Sequence, residues 1–235
     1  IQVTPSMLYT MGNIIMYISH AKKIIFLAVP KTASVSIRNS LIKHIGQSTR
    51  LMDDLFRNYD DHVRPGAVRM ALKKDETSLD WSEYFKFAFV RNPWDREVSV
   101  YKYRVKSLEM LVGDNLTPQQ IAFREYNEQY LTTCPTFKSA IQSYNNGTTP
   151  YHIPMHKWTH DRDLNPIVNF IGKLENIDND YKTVCILNDI PQEKLQKTNQ
   201  TDHMHYSEYY DDETRQIIAE IYKKDIEIFG YTFEK

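Results

Sequence analysis

Lys31 stands directly after an apolar run, Ile24-Ile25-Phe26-Leu27-Ala28-Val29-Pro30, and directly before the hydroxyls of Thr32, Ser34 and Ser36. Arg91 follows a second apolar run, Phe87-Ala88-Phe89-Val90, and Ser99 comes roughly two helical turns after Asn92. An ammonium, hydroxyls and backbone N–H groups together suit an oxyanion with several acceptor oxygens. A guanidinium suits phosphate through paired hydrogen bonds. Each group lies where an extended run gives way to a helical pattern. At such a turn the first N–H groups of the helix lack partners and its dipole favours negative charge. Two turns of this kind suggest a ligand with two anionic ends. A plainer account also fits: a surface Lys, serines that cap a helix, and Arg91 paired with Asp95 or Asp53.

Several chemistries are argued against. The glycines of a GxxxxGK[ST] loop are absent, and Lys31 precedes the hydroxyls instead of abutting a final one. No acidic strand end offers itself to Mg²⁺, as a nucleotide triphosphatase requires. His152, His156 and His160 are spaced by four, a metal-ligand spacing on one helix, but Pro154 interrupts it and no Cys or carboxylate completes the set. No metal is therefore expected. The net charge of −1 advertises neither nucleic acid nor an anionic membrane as a partner. The two cysteines, Cys134 and Cys185, fit free thiols in a reducing compartment. No apolar stretch approaches a membrane span, and Ile1 to His20 does not read as a signal peptide.

The elements that position these residues follow from periodicity. Asn13 to Ile18 and Lys23 to Val29 read as strands, the second buried on both faces. Ile37, Leu41, Ile42 and Ile45 recur at helical spacing, with Gly46 as a stop. Residues 51 to 63 read as irregular, and Pro65 to Lys74 as a short helix. Lys86 to Arg91 is the next strand, and Asn92, Pro93 and Asp95 make a helix start. Helices are expected over Leu116 to Leu131, Pro135 to Tyr144 and Asn176 to Leu187, and a strand over Ile167 to Leu174. One long amphipathic helix over Asp211 to Phe229 closes the chain. Alternating strands and helices predict one α/β domain over residues 1–235, a central, mainly parallel sheet flanked by helices. Ligands of such sheets lie beyond the carboxyl ends of the strands, where both motifs fall.

With those motifs in view, the chain resembles sulfotransferases that use 3′-phosphoadenosine 5′-phosphosulfate (PAPS), closest to the carbohydrate O-sulfotransferase branch. Pro30-Lys31-Thr32-Ala33-Ser34-Val35-Ser36-Ile37 resembles their 5′-phosphosulfate loop, and Arg91-Asn92-Pro93-Trp94-Asp95-Arg96 through Ser99 and Tyr101 their 3′-phosphate motif. The likeness continues in Phe170 to Ile177, His205 to Thr214 and Asp225 to Tyr231. It departs at Val35, where the family usually has a hydroxyl, and over Met155 to His160, where that branch carries Gln. The resemblance implies a P-loop-like three-layer sandwich, with about residues 105–160 inserted near the acceptor site. It implies a donor site of Lys31, Thr32, Ala33, Ser34, Val35, Ser36, Arg91 and Ser99, with PAP released and no metal. Lys31 would act on the bridging oxygen. His62 is the candidate base, because the family places a His between the two motifs, with Asp60, Asp61 and Glu83 as alternatives. The expected acceptor is a hydroxyl of a sugar or small metabolite, and Tyr126, Tyr130, Phe137, Tyr144, Tyr151 and Trp158 could wall its site or pack a core. Without the membrane anchor of secretory-pathway members, a soluble, bacterial-type, cytoplasmic enzyme is expected. A P-loop kinase and a non-catalytic nucleotide-binding module are the rival readings.

Overall fold

Two runs, Ile24–Leu27 and Phe85–Val90, are apolar except at Lys86 and buried at nearly every position, as strands covered on both faces must be. The computed structural model describes residues 16–46, 80–113, 115–146, 152–196 and 204–234. In chain order its main elements are β1 (Met16–Ser19), β2 (Ile24–Leu27), α1 (Ser34–Ile45), β3 (Phe85–Val90), α2 (Pro93–Met110), α3 (Pro118–Thr133) and α4 (Phe137–Gln142). There follow α5 (His156–Thr159), β4 (Phe170–Lys173), α6 (Ile177–Leu187), α7 (Asp212–Ile221) and α8 (Lys223–Phe229). The helix expected over Pro65 to Lys74 falls outside the described residues.

The strands lie in the order β1-β2-β3-β4. β1 is antiparallel to β2, whereas β2, β3 and β4 run parallel, with Leu27 beside Ala88 and Val90 beside Lys173. The chain thus forms the expected α/β arrangement, a mainly parallel sheet flanked by helices. Ile37 and Leu41 of α1 and Tyr181, Val184 and Cys185 of α6 pack against Tyr17, Ile24, Phe26, Phe87 and Phe89 of the sheet. The Tyr181 hydroxyl ties α6 to α1 through Ser40 Oγ at 2.9 Å, and the Tyr17 hydroxyl donates to the Gly46 carbonyl where α1 stops. Gly172 of β4 faces Phe89 of β3 so closely that a Cβ there would run into the ring.

These elements belong to one compact unit, residues 14–91 and 155–198; a second contains residues 92–154 and 199–235. In the second unit Asn92 caps α2, accepting from the Trp94 N–H at 3.1 Å. Its amide also donates to the Thr232 carbonyl at 3.0 Å, which fastens the chain's last residues to the helix start. Trp94, Val98, Phe137, Ile141, Tyr206, Ile218 and Tyr222 form the core there. The single helix expected over Asp211 to Phe229 is instead two, α7 and α8, broken at Tyr222. Tyr222 is fully buried and its backbone leaves helical geometry (φ −103°, ψ 21°) where its hydroxyl meets Glu97. Among the described residues no helix is long and apolar enough to cross a membrane.

Phe89 is fully buried and packed in the core of the sheet. Gly172→Ala is therefore expected to destabilise the sheet by about 1–3 kcal/mol through overpacking. Chemical denaturation followed by circular dichroism reads this; an unchanged midpoint would show that the ring yields freely.

Candidate functional site

The segment joining β2 to α1 is held in a conformation its residue types resist. Lys31 has φ 67°, and Ala33 has φ 60° and ψ 24°. Both are left-handed and neither is glycine, which costs roughly 1–2 kcal/mol for each such residue. Backbone of this kind persists where surroundings over-determine it, commonly at ligand-holding turns. One clamp is local: the Thr32 hydroxyl, fully buried, donates to the Val29 carbonyl at 2.8 Å. That hydroxyl proton is committed, so what Thr32 has to offer an anion is its backbone N–H.

Ala33 is the residue before α1, and no side chain caps the helix there. The first turn carries no acidic residue, and the helical ladder begins with Ile37 N–H on the Ala33 carbonyl. The twelve-residue α1 therefore presents its positive end toward the loop with no built-in anion. Successive left-handed and right-handed residues also turn N–H groups into one concavity, a second anion-favouring feature. Ser34 is half-exposed, with no hydrogen bond from its hydroxyl among the described residues. Val35 is half-exposed and Ser36 buried.

Arg91 leaves β3 at the same sheet edge at which Lys31 leaves β2, because the two strands are parallel. Its Nη1 donates to the Lys31 carbonyl at 3.2 Å, and its backbone N–H to the sulfur of buried Met155 at 3.4 Å. Lys31 and Arg91, sixty positions apart, are thereby brought into direct contact. Ser99 lies on α2, 4 % exposed, and its hydroxyl makes no hydrogen bond among the described residues.

Other expected residues fall elsewhere. His62, Asp60 and Asp61 lie outside the described residues, as does Tyr151. Glu83 pairs with Lys23 at 2.7 Å, beside the amino ends of β2 and β3 and so away from the Lys31 loop. His156 is buried on α5 and His160 follows that helix, while His152 belongs to the other unit. The three histidines thus do not share a helix. Trp158 and Phe137 are core residues, and Tyr126 and Tyr130 lie over the Arg104 guanidinium.

Spacing did not reveal a polar cluster around Glu97, one turn into α2. Its fully buried carboxylate accepts from the Tyr144 and Tyr222 hydroxyls, both at 2.5 Å, and faces His152 Nδ1 at 3.0 Å. Next to it, Arg96 donates to the Ile153 carbonyl at 3.1 Å, and Tyr222 also reaches the His152 carbonyl. Burial alone pushes the Glu97 carboxyl up. Facing His152, Arg96 and the Tyr144 hydroxyl outweigh it and hold the group below the usual glutamate range. The cluster ties residues 152–153 to α2 and to the α7–α8 break.

The model of the sulfotransferase family matches residues 15–232. No curated protein and no solved structure matches the chain.

Two outcomes follow from this geometry. Ala33→Gly removes a left-handed Cβ and is expected to raise unfolding stability by up to about 1 kcal/mol; a loss on thermal or urea unfolding would mean the Ala methyl is needed for packing. Glu97→Gln leaves three donors facing a poorer acceptor and is expected to lose about 3 kcal/mol at neutral pH. The sign in acid follows from the lowered carboxyl. Its contribution is complete above the unfolded glutamate value of about 4.3 and is lost as pH falls through the lower folded value. The gap between wild type and Glu97→Gln should therefore narrow in denaturation curves taken below about pH 4.3; a constant gap would overturn the account.

Proposed function

Because the chain belongs to the sulfotransferase family, we propose that it moves the sulfuryl group of PAPS to a hydroxyl of a carbohydrate or small metabolite. The observation that carries this reading is the contact between the left-handed Lys31 loop and Arg91 at one sheet edge. One part suits a 5′-phosphosulfate, the other a 3′-phosphate.

In the reaction the acceptor oxygen attacks sulfur, the bond from sulfur to the 5′-phosphate oxygen breaks, and the acceptor proton passes to a base. Lys31 neutralises the charge that grows on the departing oxygen, an interaction stronger in the transition state than before it. Backbone N–H groups of Thr32, Ala33, Ser34, Val35 and Ser36, with the Ser34 hydroxyl, bind the 5′-phosphate at the start of α1. Arg91 takes the 3′-phosphate, with Ser99 offering a hydroxyl from the same motif, and so distinguishes PAPS from ordinary adenine nucleotides. His62 is the proposed proton acceptor. The loop's fit to phosphate is supported by its chemistry: a cation, an uncapped helix start and no carboxylate in the first turn.

Calorimetric titration with 3′-phosphoadenosine 5′-phosphate (PAP), beside AMP and ATP·Mg²⁺ at one salt concentration, tests the donor. Tight PAP and weak AMP binding is the expected outcome. Preference for ATP·Mg²⁺, or no binding, would overturn it. Lys31→Ala should lower kcat by about 10²–10³-fold while changing PAP affinity far less. Equal losses in both would reduce Lys31 to a binding residue.

A further inference from the structure

We infer that Arg91 is also a positioning residue for the 5′-phosphate loop: its guanidinium sets the direction of the Lys31–Thr32 peptide. The inference rests on the donor reading above only for the identity of the ligand.

The Lys31–Thr32 peptide unit orients two polar groups at once. Its C=O and N–H point in opposite directions because the bond is planar and trans. Arg91 Nη1 holds the Lys31 carbonyl at 3.2 Å, so the N–H of Thr32 is aimed the other way. Thr32's hydroxyl proton is spent on Val29, so that N–H is the donor Thr32 retains for a phosphate. The direction of one loop donor is thus fixed by a side chain from the neighbouring strand.

Left-handed backbone is disfavoured at Lys31, which carries a Cβ. A hydrogen bond from a charged donor is stronger than a neutral one and acts in the opposite sense. The two oppose each other, so removing the guanidinium weakens the hold on the Lys31–Thr32 peptide's direction. Thr32's own clamp acts one residue further on, through its hydroxyl on the Val29 carbonyl. Arg91 is itself well anchored, through its backbone N–H to Met155 and through the parallel pairing of β3 with β2. A guanidinium with several donors can serve the carbonyl and a phosphate together, which a single ammonium does less well.

The two roles separate on a nucleotide that lacks a 3′-phosphate. A group that only binds the 3′-phosphate is indifferent to AMP; one that positions the loop is not. Calorimetry with AMP and with PAP is run on wild type, Arg91→Ala and Arg91→Lys, with thermal midpoints as the folding control. The Kd for AMP is expected to rise about tenfold in Arg91→Ala, which corresponds to 1.4 kcal/mol, and to stay several-fold raised in Arg91→Lys. Turnover with adenosine 5′-phosphosulfate as donor should fall in parallel. An AMP affinity untouched in Arg91→Ala overturns the positioning role and leaves the donor reading standing. Full recovery of AMP binding in Arg91→Lys also overturns it, since charge alone would then suffice. If Arg91→Ala does not fold, Arg91→Lys decides alone. Wild type that binds AMP and PAP equally removes the 3′-phosphate reading but not the positioning role. Wild type that binds neither overturns both.

Discussion

The parallel pairing of β2 with β3 is the constraint on which the chemistry of this chain depends. Both strands are buried, so their register is fixed by the packing of Phe26 and Phe87 as well as by the ladder. A parallel pair sends both chains out at one edge, which is how Lys31 and Arg91, distant in sequence, come to share a carbonyl. An antiparallel pairing of the same two strands would have put them at opposite ends. The left-handed conformations at Lys31 and Ala33 are sustained by that framework and by the Thr32 clamp. The loop's own residue preferences oppose them.

The second unit is organised differently, around polar groups inside an aromatic core. Asn92 both caps α2 and holds the C-terminal stretch through Thr232. Glu97, five residues later, gathers Tyr144, Tyr222 and His152. A buried carboxylate with three donors is intolerant of partial loss, because each orphaned donor has no water to turn to. These groups fix which segments meet, while Trp94, Phe137, Tyr210 and Phe233 fill the space between them.

Much of the fold was legible in the residues. Apolar runs ending at Pro30 and Arg91 located β2 and β3, and Asn92-Pro93 located the start of α2 to the residue, because cap and proline chemistry is local. Gly46 marked the end of α1 for the same reason. What was hidden depends on contacts between distant positions. Nothing in Lys31 or Ala33 signals a left-handed backbone, since glycine is the usual marker and is absent. Arg91 was legible as a phosphate-binding type, but its bond to the Lys31 carbonyl exists only once the strands pair. The apolar stripe from Asp211 to Phe229 continues across Tyr222, so periodicity alone gave no sign of the break. Pro154 signalled that the histidines spaced by four do not share a helix, but not that His152 is claimed by Glu97 while His156 lies within α5.

The bond from Arg91 to the Lys31 carbonyl also has a kinetic meaning. It joins residues sixty positions apart, a contact whose loop-closure entropy must be met before it can form. Until β3 lies beside β2, this restraint on the Lys31–Thr32 peptide is absent. On the proposed reading, the loop's anion affinity arrives with the completed sheet. Any ligand of the loop then binds the finished fold in preference to partly folded forms, and by mass action it stabilises that fold alone. On that reading a donor nucleotide is a folding ligand as well as a reactant.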